Sequence, residues 1–153
     1  MYQIMLVEDE MLVRESMAQN TNWDKFGFAP PHVFENGRQA LEQLESVLPD
    51  VVITDICMPE MDGLQFMEEA AKENPGIKVI LLTGYAEFEY ARKALTLGAL
   101  DYLLKPLNPD RMRAVLEKAF QEISEERLLA SQKEEMRKQL DITLPIYLSL
   151  IHI

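Results

Sequence analysis

The sequence predicts an α/β protein in which five short strands alternate with five helical stretches, folded as one doubly wound parallel sheet with helices on both faces. Three observations predict it. Short apolar runs recur, and Val51–Thr54 (VVIT) and Lys78–Leu82 (KVILL) are apolar or β-branched at nearly every position, as strands covered on both faces should be. Between the runs, apolar residues fall at helical spacing. Turn and cap residues separate the two patterns, notably Asn36-Gly37, Pro75-Gly76, Gly98 and Asn108-Pro109.

In chain order, Gln3–Val7 (QIMLV) is the first strand, closed by the acids Glu8-Asp9-Glu10, and Met11–Asn20 is the first helix, with Met11, Leu12, Met17 and Ala18 as its apolar positions. His32–Phe34 is a weak second strand after the Pro30-Pro31 break. A single helix through Leu48 follows Asn36-Gly37, since Ala40, Leu41, Leu44, Val47 and Leu48 share one face. The third strand, Val51–Thr54, leads into the loop Met58-Pro-Glu-Met-Asp-Gly63, in which Gly63 is expected to serve a turn. Leu64–Asn74 is helical, Lys78–Leu82 is the fourth strand, and Ala86–Leu97 is a helix capped by Gly98. Asp101–Leu104 (DYLL) is the fifth strand; Asn108 then caps a last helix with Pro109 at its first position.

After about residue 122 the composition shifts to SEERLLASQKEEMRKQL. Residues 123–140 read as a charged helical linker without a clean heptad seam, better described as a solvated continuation of the last helix than as a dimerising coiled coil. Residues 141–153 are apolar and too short for another domain. They are expected to be the edge of a longer protein or a non-native remnant.

Composition narrows the function. The 153 residues carry 48% apolar side chains, enough for one substantial core, and 15 Lys and Arg against 26 Asp and Glu give a formal net charge of −11. Such a charge argues against nucleic-acid binding by this chain alone, because that binding rests on neutralising phosphates. One cysteine, Cys57, allows neither an internal disulfide nor a cysteine-based zinc site. No basic n-region precedes the first apolar run, and no run approaches transmembrane length, so the expected compartment is the cytoplasm, with no membrane partner. His32 and His152 lie apart and form no metal-binding or acid–base pair.

Doubly wound sheets hold their sites beyond the C-terminal strand ends. The first strand delivers Glu8 and Asp9 there, the third Asp55, the fourth Thr83 and the fifth Lys105. In the strand order 2-1-3-4-5 the first and third strands are neighbours, so three carboxylates share one pocket. They tolerate one another only beside a cation, and hard oxygens favour Mg²⁺ or Mn²⁺. A carboxylate beside a divalent cation, an ammonium and a hydroxyl looks like a phosphoryl acceptor: charge arriving on Asp55 would be stabilised by the metal and Lys105, and Thr83 could donate to the new oxygens.

Four blocks carry a closer resemblance: Leu6-Val7-Glu8-Asp9-Glu10, Val52 to Gly63 (VITDICMPEMDG), Leu82-Thr83-Gly84-Tyr85, and Asp101 to Pro106 (DYLLKP). In this order and spacing, over roughly residues 1–122, the chain resembles the receiver domain of bacterial two-component response regulators, whose fold is flavodoxin-like. The resemblance implies that Asp55 is the phosphoacceptor, with the phosphoryl group coming from a sensor histidine kinase. It implies that Asp9 and Asp55 hold Mg²⁺ with help from Glu8 and the backbone carbonyl of Cys57, that Lys105 pairs with the phosphoryl group, and that the Lys105-Pro106 peptide is cis. Thr83 and Tyr102 would be a switch pair whose movement alters the face formed by the helix after the fourth strand, the fifth strand and the helix after that. The altered face would control homodimerisation or an output domain. The stretch from Thr83 to Ala91 (TGYAEFEYA) resembles receivers joined to AraC-type output domains, so DNA binding is implied only through an output domain absent from this chain. Glu8 stands where many family members carry Asp, and its longer side chain is expected to reach the metal through water.

Other readings are weaker. An unphosphorylated docking module of this fold commonly lacks one of the acids or the lysine, whereas all are present. An FMN site would place its phosphate against Glu8-Asp9-Glu10, which repel it. An aspartyl-phosphate hydrolase would need a second acid two residues after Asp55, where Cys57 stands. The Cys57 thiol itself is expected to be a small core or loop residue with no nucleophilic part.

Overall fold

A computed structural model describes the backbone of residues 1–151 and the side chains of residues 1–140 other than Tyr85. The strands are β1 (Ile4–Val7), β2 (His32–Phe34), β3 (Val51–Asp55), β4 (Lys78–Thr83) and β5 (Asp101–Leu104). They form one sheet in the order β2-β1-β3-β4-β5, every neighbouring pair parallel, as the sequence predicts. The helices are α1 (Met11–Asn20), α2 (Gly37–Glu42), α3 (Leu44–Val47), α4 (Gly63–Glu73), α5 (Phe88–Thr96) and α6 (Pro109–Ile151).

Alternation along the strands divides the core between the two faces of the sheet, and one face carries two clusters. Met5 and Val7 of β1, Val52 of β3 and Met58 pack with Ala40, Leu44, Phe66 and Ala70. Val79 and Leu81 of β4 pack with Ile56, Met67, Ala91, Ala94 and Ala99. Successive side chains point to opposite faces, so Ile4, Leu6, Ile53, Ile80 and Leu82, all fully buried, line the other side of the sheet. Burial of β1 and β3 at every residue explains their unbroken apolar runs, whereas β2 and β5 lie at the edges and expose part of their length.

Local chemistry accounts for the element ends. Asp62 and Gln65 form a reciprocal capping box at the start of α4, with Gln65 N–H donating to Asp62 Oδ1 at 2.8 Å and Asp62 N–H to Gln65 Oε1 at 3.1 Å. Asn108 Oδ1 accepts from Asp110 N–H at 2.8 Å and from Arg111 N–H at 3.3 Å, the N-cap predicted for the last helix. At the end of α5, Gly98 takes φ +112° and the amides of Gly98 and Ala99 reach back to Leu95 and Ala94, a Schellman closure that satisfies the last carbonyls.

Two expectations are corrected and one element is added. The stretch read as one helix from Gly37 to Leu48 breaks at Gln43, whose ψ of 4° leaves the helical region and whose amide bonds three residues back to Ala40. The apolar spacing continues unchanged across the break, so periodicity cannot see it. The helix predicted from Ala86 begins with a 3₁₀ turn, Tyr85–Glu87, before α5. A second 3₁₀ turn, Trp23–Phe26, was not foreseen; it buries the Trp23 ring, whose indole N–H donates to the Ala18 carbonyl at 3.1 Å.

The chain divides into a compact unit, Met1–Phe120, and a second, Gln121–Ile153. The second is helical through Ile151 and exposes Leu128, Leu129, Met136 and Leu140. His152 and the side chains of residues 141–153, on which the reading of the apolar tail rests, lie outside the described residues.

Candidate functional site

Strand register decides which residues meet. Val7 stands opposite Thr54, Asp55 opposite Leu82, and Thr83 opposite Leu104, so the residues at or just past these four strand ends lie side by side along one rim. That rim gathers Glu8, Asp9, Asp55, Thr83 and Lys105. Ligand oxygens of Glu8, Asp9 and Asp55 all lie within 4.8 Å of one another. Glu8 and Asp55 are buried, while Asp9 is exposed at the mouth.

Lys105 Nζ is the hub. It donates to Asp55 Oδ2 at 3.0 Å and to Glu8 Oε1 at 3.3 Å, and lies 3.1 Å from Glu8 Oε2. That last approach has ion-pair distance without hydrogen-bond alignment, so Oε2 remains a buried oxygen with no hydrogen bond. Glu8 Oε1 also accepts from Glu10 N–H at 3.2 Å, and Asp55 Oδ1 accepts from Cys57 N–H at 3.2 Å. Burial and then the Asp55 charge push the Glu8 carboxyl up to about 8 against the opposing pull of Lys105. For Lys105, burial alone would lower the ammonium, but hydrogen bonds and charge from Asp55 and Glu8 outweigh it and hold the group above the ordinary lysine range.

The Glu8 side chain is fully buried and turned onto Lys105. The Thr83 hydroxyl is buried beside the acids and donates to its neighbour's carbonyl, Gly84 O, at 3.1 Å. The Lys105-Pro106 peptide is cis. Tyr102 packs half-buried on the β4–α5 core, 5.9 Å edge-to-face from Phe88. Cys57 is a loop residue, exposed rather than in the core; burial of the sulfur and then the neighbouring Glu87 carboxylate push its thiol up to about 11, which leaves it a poor nucleophile near neutral pH.

The loop after β3 is tightly fixed. Gly63 N–H donates to Ile56 O at 2.8 Å, and a Cβ on Gly63 would lie 2.7 Å from the Asp55 carbonyl oxygen and 2.9 Å from Ile56 Cα. Gly63 is thus needed for close backbone approach at the first position of α4, and the expected turn role is replaced by this one. Between these points Glu60 takes φ +67°, with Met61 N–H bonded to Pro59 O at 2.7 Å, a tight and strained three-residue turn.

Two contacts at the rim escape sequence reading. Arg14 Nη1 donates to the Glu8 carbonyl at 2.7 Å and so steadies the acidic loop from α1. Glu87 Oε2 accepts from Gly84 N–H at 3.0 Å, which ties down the turn that follows Thr83. The Gly84–Glu87 contact belongs to a capping box whose G-x-x-E spacing stands in the sequence, whereas the Arg14 contact has no motif.

Residues 4–117 match the family described as response regulator receiver domain. The chain belongs to that family. The receiver is 33% identical over 141 residues to the transcriptional regulatory protein YesN of Bacillus subtilis, covering 92% of this chain and 38% of that protein. It is 40% identical over 134 residues to the regulatory protein AtoC of Escherichia coli, covering 88% of this chain and 27% of the relative, so it spans well under half the length of either. Among solved structures, the REC domain of AraT, a response regulator from Geobacillus stearothermophilus, superposes with a TM-score of 0.76 at 35% identity over 82% of this chain and 98% of that one. Receiver domains are signalling domains rather than classical enzymes. Among the described residues, no helix is long and apolar enough to cross a membrane.

The acidic pocket suits the divalent cation that receivers bind. Its donors are hard carboxylate oxygens close enough to share one ion, and Glu8 Oε2 is a buried oxygen still lacking a hydrogen bond.

Proposed function

We propose that the chain is a phosphorylation-dependent switch in which Asp55 accepts a phosphoryl group from the phosphohistidine of a sensor kinase. The observation that carries this reading is the Asp55 carboxylate at the end of β3, 3.0 Å from Lys105 Nζ and grouped with Glu8 and Asp9. Asp9, Asp55, Glu8 and the Cys57 carbonyl would hold Mg²⁺ or Mn²⁺. Bound there, the cation supplies positive charge to the phosphoryl oxygens during transfer.

The chain's own groups do the rest. Asp55 is aimed by the Cys57 amide on one oxygen and by Lys105 on the other. As the phosphorus–nitrogen bond to the donor histidine breaks and the bond to an Asp55 oxygen forms, Lys105 stays beside the charge arriving on that side chain. Its ammonium, now shared with Glu8, can turn toward the phosphoryl oxygens. Thr83 exchanges its local bond to the Gly84 carbonyl for one to a phosphoryl oxygen, Tyr102 follows inward, and the face formed by α5, β5 and the start of α6 is remodelled. That face then governs homodimerisation or an output domain, and DNA is reached only through such a domain. A cytoplasmic setting follows from a kinase donor of this kind.

The test is intact mass after incubation with Mg²⁺ and acetyl phosphate. One phosphoryl group is expected, lost on hydroxylamine treatment and absent without Mg²⁺ or in Asp55→Asn. Equal phosphorylation of Asp55→Asn would overturn the assignment.

A further inference from the structure

The structure assigns Arg111 a regulatory part: we propose that it is a positioning residue that holds the Tyr102 ring in the resting arrangement and thereby sets how readily the switch turns. The inference deepens the switch reading above and rests on it.

The guanidinium Cζ lies 5.3 Å over the Tyr102 ring, within range of a cation–π attraction. The same group is pinned independently of the ring. Arg111 Nη2 donates to Asp101 Oδ1 at 2.6 Å and to the Tyr102 carbonyl at 3.2 Å. Asp101 is itself fixed: its Oδ1 accepts from Tyr102 N–H at 2.8 Å and its Oδ2 lies 3.4 Å from Lys118 Nζ, which also donates to the Leu100 carbonyl. The guanidinium is therefore fastened to the backbone of the residue whose ring it covers, so the ring can leave while the arginine stays.

The ring's second contact is of a different kind. Phe88, edge-on at 5.9 Å, opens α5 after the short 3₁₀ turn that follows Thr83 at the end of β4. Tyr102 thus sits between a cation fixed at the start of α6 and an aromatic ring on the element that follows Thr83. In the arrangement seen here Thr83 bonds locally to Gly84 and Lys105 pairs with Asp55 and Glu8, so the Arg111 contact belongs to the resting state. A contact made in one state only biases the equilibrium by its own strength. For an exposed cation–π pair this corresponds to about a two- to fivefold change in the switching equilibrium.

The experiment uses the full chain with tyrosines isotopically labelled, the Tyr102 ring resonance assigned through Tyr102→Phe, and beryllofluoride titrated in saturating Mg²⁺. In the parent, the resonance should move on saturation. In Arg111→Ala the unliganded resonance should already be displaced toward the saturated position, and the titration midpoint should fall about two- to fivefold, with Arg111→Lys between the two. Asp101→Asn, which loosens the guanidinium without removing it, should shift in the same direction. Loss of a merely structural contact would lower the unfolding midpoint and leave the unliganded resonance in place. An unmoved resonance with an unchanged or raised midpoint in Arg111→Ala overturns the proposal while leaving the switch reading intact. A parent that binds beryllofluoride without moving Tyr102 overturns the switch role of Tyr102, and this proposal with it.

Discussion

Replacing Gly63 by alanine tests how rigidly Asp55 is held. The new Cβ would stand 2.7 Å from the Asp55 carbonyl oxygen, about 0.7 Å inside the 3.4 Å at which ordinary contact begins, and 2.9 Å from Ile56 Cα. Both obstacles are backbone at the end of a buried strand, so no side chain can swing aside. Overpacking of this kind costs about 1–3 kcal/mol. Alanine recovers at most about 1 kcal/mol through its better helix propensity, and less at a first helical position. A net loss of roughly 1–2 kcal/mol is expected, read as a lower urea midpoint with an unchanged slope. The displaced atoms belong to Asp55 and its successor, so the Asp55 side chain, the proposed acceptor, moves by several tenths of an ångström, and misplacement by ~1 Å can cost about 10²-fold in rate. Phosphorylation by acetyl phosphate should accordingly slow by roughly tenfold or more. A Gly63→Ala protein with the parent's stability and rate would refute the close-approach argument.

Lys105→Ala removes the ammonium shared by Asp55 and Glu8, and the rate of adduct formation should drop about 10²-fold or more, by analogy with loss of a single preorganised charge-stabilising donor; an unchanged rate in the acetyl phosphate assay would contradict the role given to Lys105. Glu8, held at about 8 in the folded chain, binds more protons there than in the unfolded chain between its ordinary value of 4.5 and that point. Its contribution therefore lowers stability as pH rises through this window, by at most about 1.4 kcal/mol per pH unit. In chelator, Glu8→Gln should flatten that part of the slope in urea midpoints across pH 5–8, and an identical slope would count against it. Asn108→Ala, which strips the cap from α6, should cost about 1 kcal/mol, whereas Asn108→Gly should cost only a few tenths, both read by urea denaturation.

Much of the fold was legible because its signals are local. Unbroken apolar runs at Val51–Thr54 and Lys78–Leu82 report burial on two faces, and the Asn108 and Gly98 caps are chemistry within a few residues of one another. The break at Gln43 was not legible, since the residues on either side keep their helical spacing and only the backbone changes course. The Asp62–Gln65 capping box was available in the sequence as D-x-x-Q and went unread. The part played by Gly63 could not have been read, because it depends on how closely α4 returns to the end of β3.

At the site, strand-end position was enough to gather Glu8, Asp9, Asp55, Thr83 and Lys105, since parallel register brings those ends together whatever the side chains do. What register leaves open is how charge is divided among them. Three carboxylates face one ammonium, and that ammonium spans the two buried acids while Asp9 remains toward solvent. A single positive charge does not neutralise this set; burial and then the Asp55 charge push the Glu8 proton affinity up, and one Glu8 oxygen is left without a hydrogen bond. The resting pocket is thus short of positive charge where a divalent cation would supply it. Its ammonium is already committed to the two groups between which a phosphoryl group would have to be accommodated. On the proposed reading, a phosphoryl group on Asp55 would compete with Glu8 for Lys105, so an exchange of partners at Lys105 would accompany the movement of Thr83.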